Sequence, residues 1–113
     1  MEMTPGSGAA GGNVAVIGER GDVLTGMMVS APPGGSFTAT NGVISCHGRY
    51  NATARDRAVT FTTVCNDGRQ GVGTARRDSS LVSGHGTVRM DDGETGQFIF
   101  GPEASILRPK RRP

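Results

Sequence analysis

Hydrophobic and polar residues alternate along most of this chain, in short runs separated by turn dipeptides. The alternation places Phe61, Thr63 and Cys65 on one side of a strand. It places Val88 and Met90 on one side of another. A period of two residues is typical of half-buried β-strands. The other predicted core positions are Val16, Met28, Phe37, Ile44, Cys46, Tyr50, Phe98 and Phe100.

Three dipeptides that favour tight hairpin turns recur at nearly even spacing. They are Asn41-Gly42, Asp67-Gly68 and Asp92-Gly93, and their glycines fall 26 and 25 residues apart. Asn-Gly and Asp-Gly favour type I′ turns, whose twist matches that of the flanking strands. A weaker copy surrounds Arg20-Gly21. Four successive hairpins predict an antiparallel β-meander.

Glycine is unusually abundant, at 19 of 113 residues. Each glycine inside a helix costs about 1 kcal/mol relative to alanine, so almost no window favours a helix. Glycines also fall inside predicted strands, at Gly48, Gly71, Gly73 and Gly96, where they mark bends or close neighbours. We therefore expect an all-β fold: a meander of consecutive hairpins in a strongly twisted sheet or small open barrel, with disordered termini.

The chain is short enough for a single domain. Its composition predicts a flexible tether over 1–12, one β domain over 13–101 and a basic, disordered tail over 102–113. One helical turn is expected at Pro102–Ser105 within that tail. A tether of this kind commonly follows a removed signal peptide or a lipid-modified cysteine.

The two cysteines fall in consecutive predicted strands, joined by the polar loop 51–57. If those strands pair antiparallel, Cys46 and Cys65 come nearly opposite each other, within disulfide range. A disulfide here adds about 3 kcal/mol through chain entropy. Only 35% of the residues are hydrophobic, so a thin core gains much from such a link. Two buried free thiols in a reducing compartment are the alternative.

The formal net charge is +2, and much of the basic excess lies at the end of the sequence. We interpret this basic stretch as a possible contact with an anionic membrane surface, at about 1 kcal/mol per cation. A solubilising segment is the alternative. Nucleic acid is not an expected partner, because aromatic side chains for base stacking are scarce. The basic residues are Arg108, Lys110, Arg111 and Arg112.

Enzyme motifs are weak throughout the sequence. A potential catalytic triad lacks the nucleophile elbow and any recognisable oxyanion turn. Cys46 and the adjacent His47 point to opposite faces of a strand, so they form no local dyad. Cysteine and histidine spacings do not match a zinc site. We predict no catalytic residues, no metal and no cofactor. The triad considered is Ser83, His85 and Asp91 or Asp92.

Four short motifs together resemble a family pattern. The sequence runs C-H-G-R-Y over 46–50, C-N-D-G-R-Q-G over 65–71, S-G-H-G-T over 83–87 and F-I-F-G over 98–101. This resembles small exported or lipoprotein-type bacterial proteins of unknown function with a C-x-G-x-[FY] … C-x-D-G-R-x-G … S-G-x-G … F-x-F-G pattern. The resemblance implies an envelope location and a β-rich fold, and no activity.

A weaker resemblance covers residues 84–98. Their G-x-G … D-G … G-x-F spacing is similar to a MORN repeat, a β-hairpin unit found in scaffold proteins. The aromatic residues that normally follow the D-G turn are missing here. The likeness therefore concerns hairpin architecture.

The pattern and the resemblance together predict a non-enzymatic structural or interaction protein of the cell envelope. Its expected location is periplasmic or outer-membrane-associated, with a lipid anchor in the precursor as one form of export. An envelope protein or an anionic membrane surface is the expected partner, and no particular oligomeric state is predicted. The alternative is a lipid- or ligand-binding module that uses the basic tail and one sheet face.

Overall fold

The computed structural model of the protein describes residues 10–31, 34–51, 56–78 and 83–113. Eight strands follow one another along the chain, and a 3₁₀ helix, Pro102–Ile106, comes after the last. None of the helical structure in these ranges is long and apolar enough to cross a membrane. The strands are β1 (Ala10–Gly18), β2 (Val23–Ala31), β3 (Gly34–Thr40), β4 (Ser45–Asn51), β5 (Ala58–Cys65), β6 (Gln70–Arg77), β7 (Gly84–Met90) and β8 (Thr95–Phe100).

The eight strands form a closed antiparallel barrel. Each strand pairs with the next, and β1 pairs with β8, with Val14 opposite Phe100 and Val16 opposite Phe98. The predicted all-β meander of hairpins is confirmed. The barrel is closed rather than open, because the β1–β8 ladder joins the first and last strands and leaves no free sheet edge among the described strands.

The predicted core lines the inside of the barrel. The inward-facing positions follow from the alternation of side chains along each strand. In β5, exposed and buried residues alternate at every position. The four Phe side chains pack together in the lumen, with ring centroids 4.6 to 6.2 Å apart. Buried or partly buried positions include every predicted core residue. Further buried side chains, which were not among the predicted core positions, include Val14, Leu24, Ala39, Val59 and Ala75.

Interior glycines make room for the aromatic rings. A Cβ on Gly48 would overlap the ring of Phe37, and one on Gly73 would overlap the ring of Phe61. At Gly26 a Cβ would collide with a main-chain oxygen of the neighbouring strand, so this glycine allows a sharp bend. The expectation that strand glycines mark bends or close neighbours is confirmed at Gly48 and Gly73.

Among the four hairpin loops that the structure describes in full, three share one geometry. In the β5–β6 hairpin, Gly68 N donates to Cys65 O at 3.0 Å, and Cys65 N donates to Arg69 O at 2.9 Å. With Gly68 at φ +92°, this is the three-residue loop that ends in a glycine bulge. The β1–β2 and β7–β8 hairpins repeat both bonds. The Asp-Gly dipeptides therefore form three-residue loops instead of the two-residue type I′ turns that they predict.

The β3–β4 hairpin has a shorter loop. Asn41 N donates to Ile44 O at 3.1 Å, which leaves Gly42 and Val43 as the two loop residues. Gly42 has φ +92°, and type II′ turns carry their glycine at this first loop position. The Asn41 side chain closes the turn by accepting the N–H groups of Val43 and Ile44 at 2.9 and 2.8 Å.

The segment after β8 lies against the barrel, where the sequence predicted a disordered tail over 102–113. The expected helical turn is present and extends to Ile106, and it buries Ala104 beside β1. Farther on, Lys110 and Val23 exchange two main-chain hydrogen bonds of 2.9 Å. Val23 is available because the β2–β3 ladder begins only at Thr25. These contacts hold the basic segment in place.

The other end of the chain also differs from the predicted division. Strand β1 begins at Ala10, inside the segment predicted as a tether over 1–12. Residues 1–9 of that predicted tether lie outside the described residues. The β structure therefore extends from residue 10, three residues earlier than expected, because Ala10–Gly12 pair with Met28–Ser30 of β2.

Candidate functional site

Four loop residues point into the barrel at the end where the tight hairpins lie, here called the turn end. Each lies immediately before the next strand. Asp22 and Glu94 are only 4% and 5% exposed, although both are charged. A glycine bulge re-aims the side chain that follows it, which explains why charged loop residues face inward. The four residues are Asp22, Ile44, Arg69 and Glu94.

Arg69 joins carboxylates from two hairpins. Its Nη1 donates to Glu94 Oε1 at 2.8 Å and to Asp92 Oδ2 at 3.3 Å, and its Nε donates to Asp67 Oδ2 at 2.8 Å. Burial alone would lower the pKa of the guanidinium. The hydrogen bonds with Glu94 and Asp67 outweigh burial and raise the pKa of Arg69 above its ordinary value. Arg69 therefore stays charged and holds two neighbouring turns together.

Arg112 reaches the same carboxylates from the segment after the 3₁₀ helix. Its Nη2 lies 2.9 and 3.0 Å from the two carboxylate oxygens of Glu94 and 3.1 Å from Oδ2 of Asp22. Burial opposes its charge, but the hydrogen bonds with Glu94 and Asp22 raise the pKa of Arg112. Asp22, Arg69, Glu94 and Arg112 together form what we call the charged cap of the turn end.

Asp22 has one oxygen that the cap does not satisfy. Its Oδ1 is buried and accepts no hydrogen bond from the described residues. This oxygen occupies the space that a Cβ on Gly18 would need, and Glu94 Oε2 lies 3.1 Å from the same point. Two carboxylates therefore converge over Gly18, and they depend on nearby cations because buried like charges repel strongly.

The floor beneath the cap is apolar and contains the disulfide. Cys46 and Cys65 are directly opposed in the β4–β5 ladder, with Cα atoms 3.9 Å apart, and their sulfurs are bonded. The predicted pairing is confirmed. A cavity of about 50 Å³ separates the cap from this floor, and it is small enough for only a water molecule or two. The apolar lining is Val16, Leu24, Ile44, Cys46, Cys65, Val88 and Met90.

The predicted turn residues orient the cap. Asp92 Oδ1 accepts the N–H of Glu94 at 2.9 Å, and Asp67 Oδ1 accepts the N–H of Arg69 at 3.1 Å. Each aspartate therefore fixes the main chain of the cap residue two positions later. Sequence reasoning named the turns and missed the cap. The sequence signal that could have indicated the cap is a charged residue directly after each of the turn glycines Gly21, Gly68 and Gly93.

The basic segment divides into two parts. The side chain of Arg112 reaches the cap while remaining 35% exposed, and Arg108, Lys110 and Arg111 are exposed beside it. Of the four residues predicted to contact an anionic surface, three therefore present free surface positions. Lys110 additionally anchors the segment through its main chain.

The residues considered for catalysis are not brought together. Ser83 precedes β7 and Asp91 follows it, so this strand of seven residues places them about 25 Å apart. The Ser83 hydroxyl instead hydrogen-bonds Asp78 Oδ2. His47 is exposed on the outer face, opposite in direction to Cys46. Across the described ranges, no three His, Cys, Asp or Glu side chains are grouped as metal ligands.

The opposite half of the lumen is filled. The cavity there measures only about 20 Å³, room for about one water molecule. Aromatic and aliphatic side chains occupy the space that a lumen ligand would need. The residues around it are Met28, Phe37, Tyr50, Val59, Phe61, Ala75, Arg77, Phe98 and Phe100.

Two designed proteins are similar to this chain in fold. One is a redesigned β-barrel, mFAP1, bound to DFHBI, with a TM-score of 0.64 at 15% identity over 81% of this chain and 92% of the other. The second is a de novo designed fluorescence-activating β-barrel, with a TM-score of 0.60 at 15% identity over 81% and 90%. No family model and no curated protein matches the sequence. At this identity the likeness concerns the barrel fold.

Proposed function

We propose that the protein is a non-enzymatic structural or interaction module of the cell envelope. The observation that carries this proposal is the Cys46–Cys65 disulfide on the floor of the charged cap. Disulfides persist mainly in oxidising compartments, and cytosolic reductants keep most thiols reduced. The bond links neighbouring strands inside a small barrel, as expected for a structural staple of an exported domain.

The filled lumen supports a role for the outer surface. Because the four Phe rings and the cap occupy the interior, the described residues offer little internal space for a substrate. The outer face carries exposed apolar side chains among threonines and arginines. Such mixed surfaces are common where proteins meet partners. The large exposed apolar residues of the strands are Met27, Val29, Val64 and Val72.

The compartment is tested by trapping thiols in intact cells. Cells that express the natural precursor are quenched in acid, alkylated, and analysed by intact mass before and after reduction. We expect no alkylated cysteine before reduction and two after it. We also expect the protein to be released in the envelope fraction. Two alkylated cysteines without reduction, in a cytoplasmic fraction, would contradict the proposal.

A second candidate function is binding to an anionic lipid surface through the basic segment. The exposed cations Arg108, Lys110 and Arg111 favour it, because they lie next to one another on a segment fixed to the barrel. Three cations contribute about 3 kcal/mol at such a surface, at about 1 kcal/mol each. Salt-sensitive co-sedimentation with phosphatidylserine vesicles, lost when all three become alanine and retained in Arg112→Ala, would support it. Equal loss in both variants would count against it.

A further inference from the structure

We propose that the turn end of the barrel is a binding site for an extended peptide that carries an arginine, and that residues 110–112 occupy this site in cis. The inference names a partner class for the interaction module and so rests on the proposed function. Three observations support it: a main-chain contact, a cradle for a guanidinium and an unused acceptor in that cradle.

The main-chain contact uses only backbone atoms of the bound segment, so it does not depend on which side chain stands at the pairing position. Val23 N donates to Lys110 O at 2.9 Å, and Lys110 N donates to Val23 O at the same distance. Asn41 Nδ2 also donates to Lys110 O, at 3.2 Å. A peptide that adds to an exposed strand position in this way gains affinity from its backbone, whatever residue stands at the pairing position.

The cradle lies two residues along from the pairing position. Pairing at Lys110 fixes the main chain beside the turn end, and the side chain of Arg112, two residues later, enters the cap. There the guanidinium meets Asp22 and Glu94, whose side chains are 6% and 4% exposed. Without Arg112, the remaining cap cation among the described side chains is Arg69, which contacts Glu94 and already bonds two other aspartates. The cap therefore requires a second cation.

The cradle also retains an acceptor that Arg112 leaves unused. Arg112 reaches the carboxylates through Nη2. Asp22 is more than nine-tenths buried, and its Oδ1 has no donor among the described side chains. A guanidinium has five N–H donors in a planar fork. An arginine on a peptide with a freer path can add a bond that the tethered Arg112 does not make.

The cis segment competes with any such peptide. A short tether gives it an effective concentration near the millimolar range. The test therefore uses the full chain with the variant Lys110→Pro, Arg112→Ala, which removes the main-chain donor and the guanidinium together. Circular dichroism and intact mass first establish that this released variant is folded and holds its disulfide.

The probe is a fluorescent peptide with the sequence of residues 107–113, followed by anisotropy. We expect the released variant to bind it, and the unmodified chain to bind it at least about tenfold more weakly. A peptide with Arg112→Ala should bind at least about tenfold more weakly than one with Arg111→Ala, although both lose one charge. Equal binding of these two peptides, or no binding by a folded released variant, overturns the inference.

A second measurement covers the case in which the released variant does not fold. The single variant Arg112→Ala is melted with methylguanidinium or with methylammonium at equal concentration, beside Arg111→Ala. We expect methylguanidinium alone to raise the Tm, and only in Arg112→Ala. The same shift in both variants, or with both cations, overturns the site. Either failure leaves the thiol-trapping result unaffected, so it is distinguishable from failure of the proposed function.

Discussion

Nη2 of Arg112 lies 2.9 Å from Oε1 of Glu94, although one residue belongs to the segment after the barrel and the other to the last hairpin loop. This ion pair joins the segment after the 3₁₀ helix to the barrel interior. Its carboxylate is almost completely buried, whereas the arginine side chain is 35% exposed. Removing the arginine therefore costs less than breaking a fully buried pair would.

Replacing Arg112 should destabilise the protein moderately. Arg112→Ala leaves Glu94 and Asp22 buried with one cation fewer, and we expect a loss of about 1–2 kcal/mol after allowance for solvent screening. Urea denaturation measures the change. The matched control is Arg111→Ala, an exposed neighbour expected to stay within about 0.5 kcal/mol of the unmodified chain. Equal losses in the two variants would show that the cap does not stabilise the barrel.

Removing the disulfide should have a larger effect. The double variant Cys46→Ala, Cys65→Ala releases a cross-link over a sequence separation of 19, and we expect a loss of about 3 kcal/mol. Thermal unfolding checks this. The control is the unmodified protein after reduction without alkylation. It keeps both cysteine side chains and lacks the cross-link, so it isolates the effect of the cross-link on chain entropy. If reduction leaves the Tm unchanged, the disulfide is not a structural staple.

Interior glycines should resist enlargement where an aromatic ring lies close. Gly48→Ala forces a Cβ into the ring of Phe37, and we expect a loss of about 1–3 kcal/mol. Gly12→Ala is the matched control in another strand, since its Cβ would make ordinary contacts with Met28, at 3.7 Å from Cγ and 3.9 Å from Sδ. Comparable urea midpoints for the two variants would refute the packing role assigned to Gly48.

Stability should fall on acidification through Glu19 and Asp92. Hydrogen bonds from the Thr95 N–H and hydroxyl lower the pKa of Glu19 below 4.5, and the Glu94 N–H lowers the pKa of Asp92 below 3.8. A lowered folded-state pKa gives stability that is complete above the unfolded-state value and is lost as the pH falls through the folded-state value. The Tm should therefore decrease below about pH 4.5.

The contribution of Glu19 is separable. Glu19→Gln should flatten the dependence of Tm on pH below about 4.5, because the glutamine does not titrate. The unmodified chain, melted over the same pH range, is the control. An unchanged slope in Glu19→Gln would mean that its bonds to Thr95 do not persist in solution.

The strands and the disulfide were predictable because their signals are local. Alternation along β5 identifies its buried face directly, and the polar loop between Cys46 and Cys65 implies an antiparallel pair. Closure was not predictable in the same way. It depends on the accumulated twist of eight strands, which brings Val14 beside Phe100, and no short motif encodes that sum.

The charged cap could not be assembled from the sequence for a related reason. Asp22, Arg69, Glu94 and Arg112 are widely spaced along the chain and meet only after the barrel closes. A run of cations at the end of a sequence usually indicates a solvated segment. Arg112 contacts the cap because Asp22 and Glu94 are buried carboxylates that attract a cation, and their burial is not visible in the sequence.

Pairing between the first and last strands has a kinetic consequence. Val14 pairs with Phe100 of β8, which is synthesised 86 positions later. This pair therefore cannot form until almost the whole barrel sequence has been made. At about 5–20 residues per second this delay lasts roughly 4–17 seconds. During that interval the outer edge of β1 stays unpaired and open to chaperones or to neighbouring nascent chains.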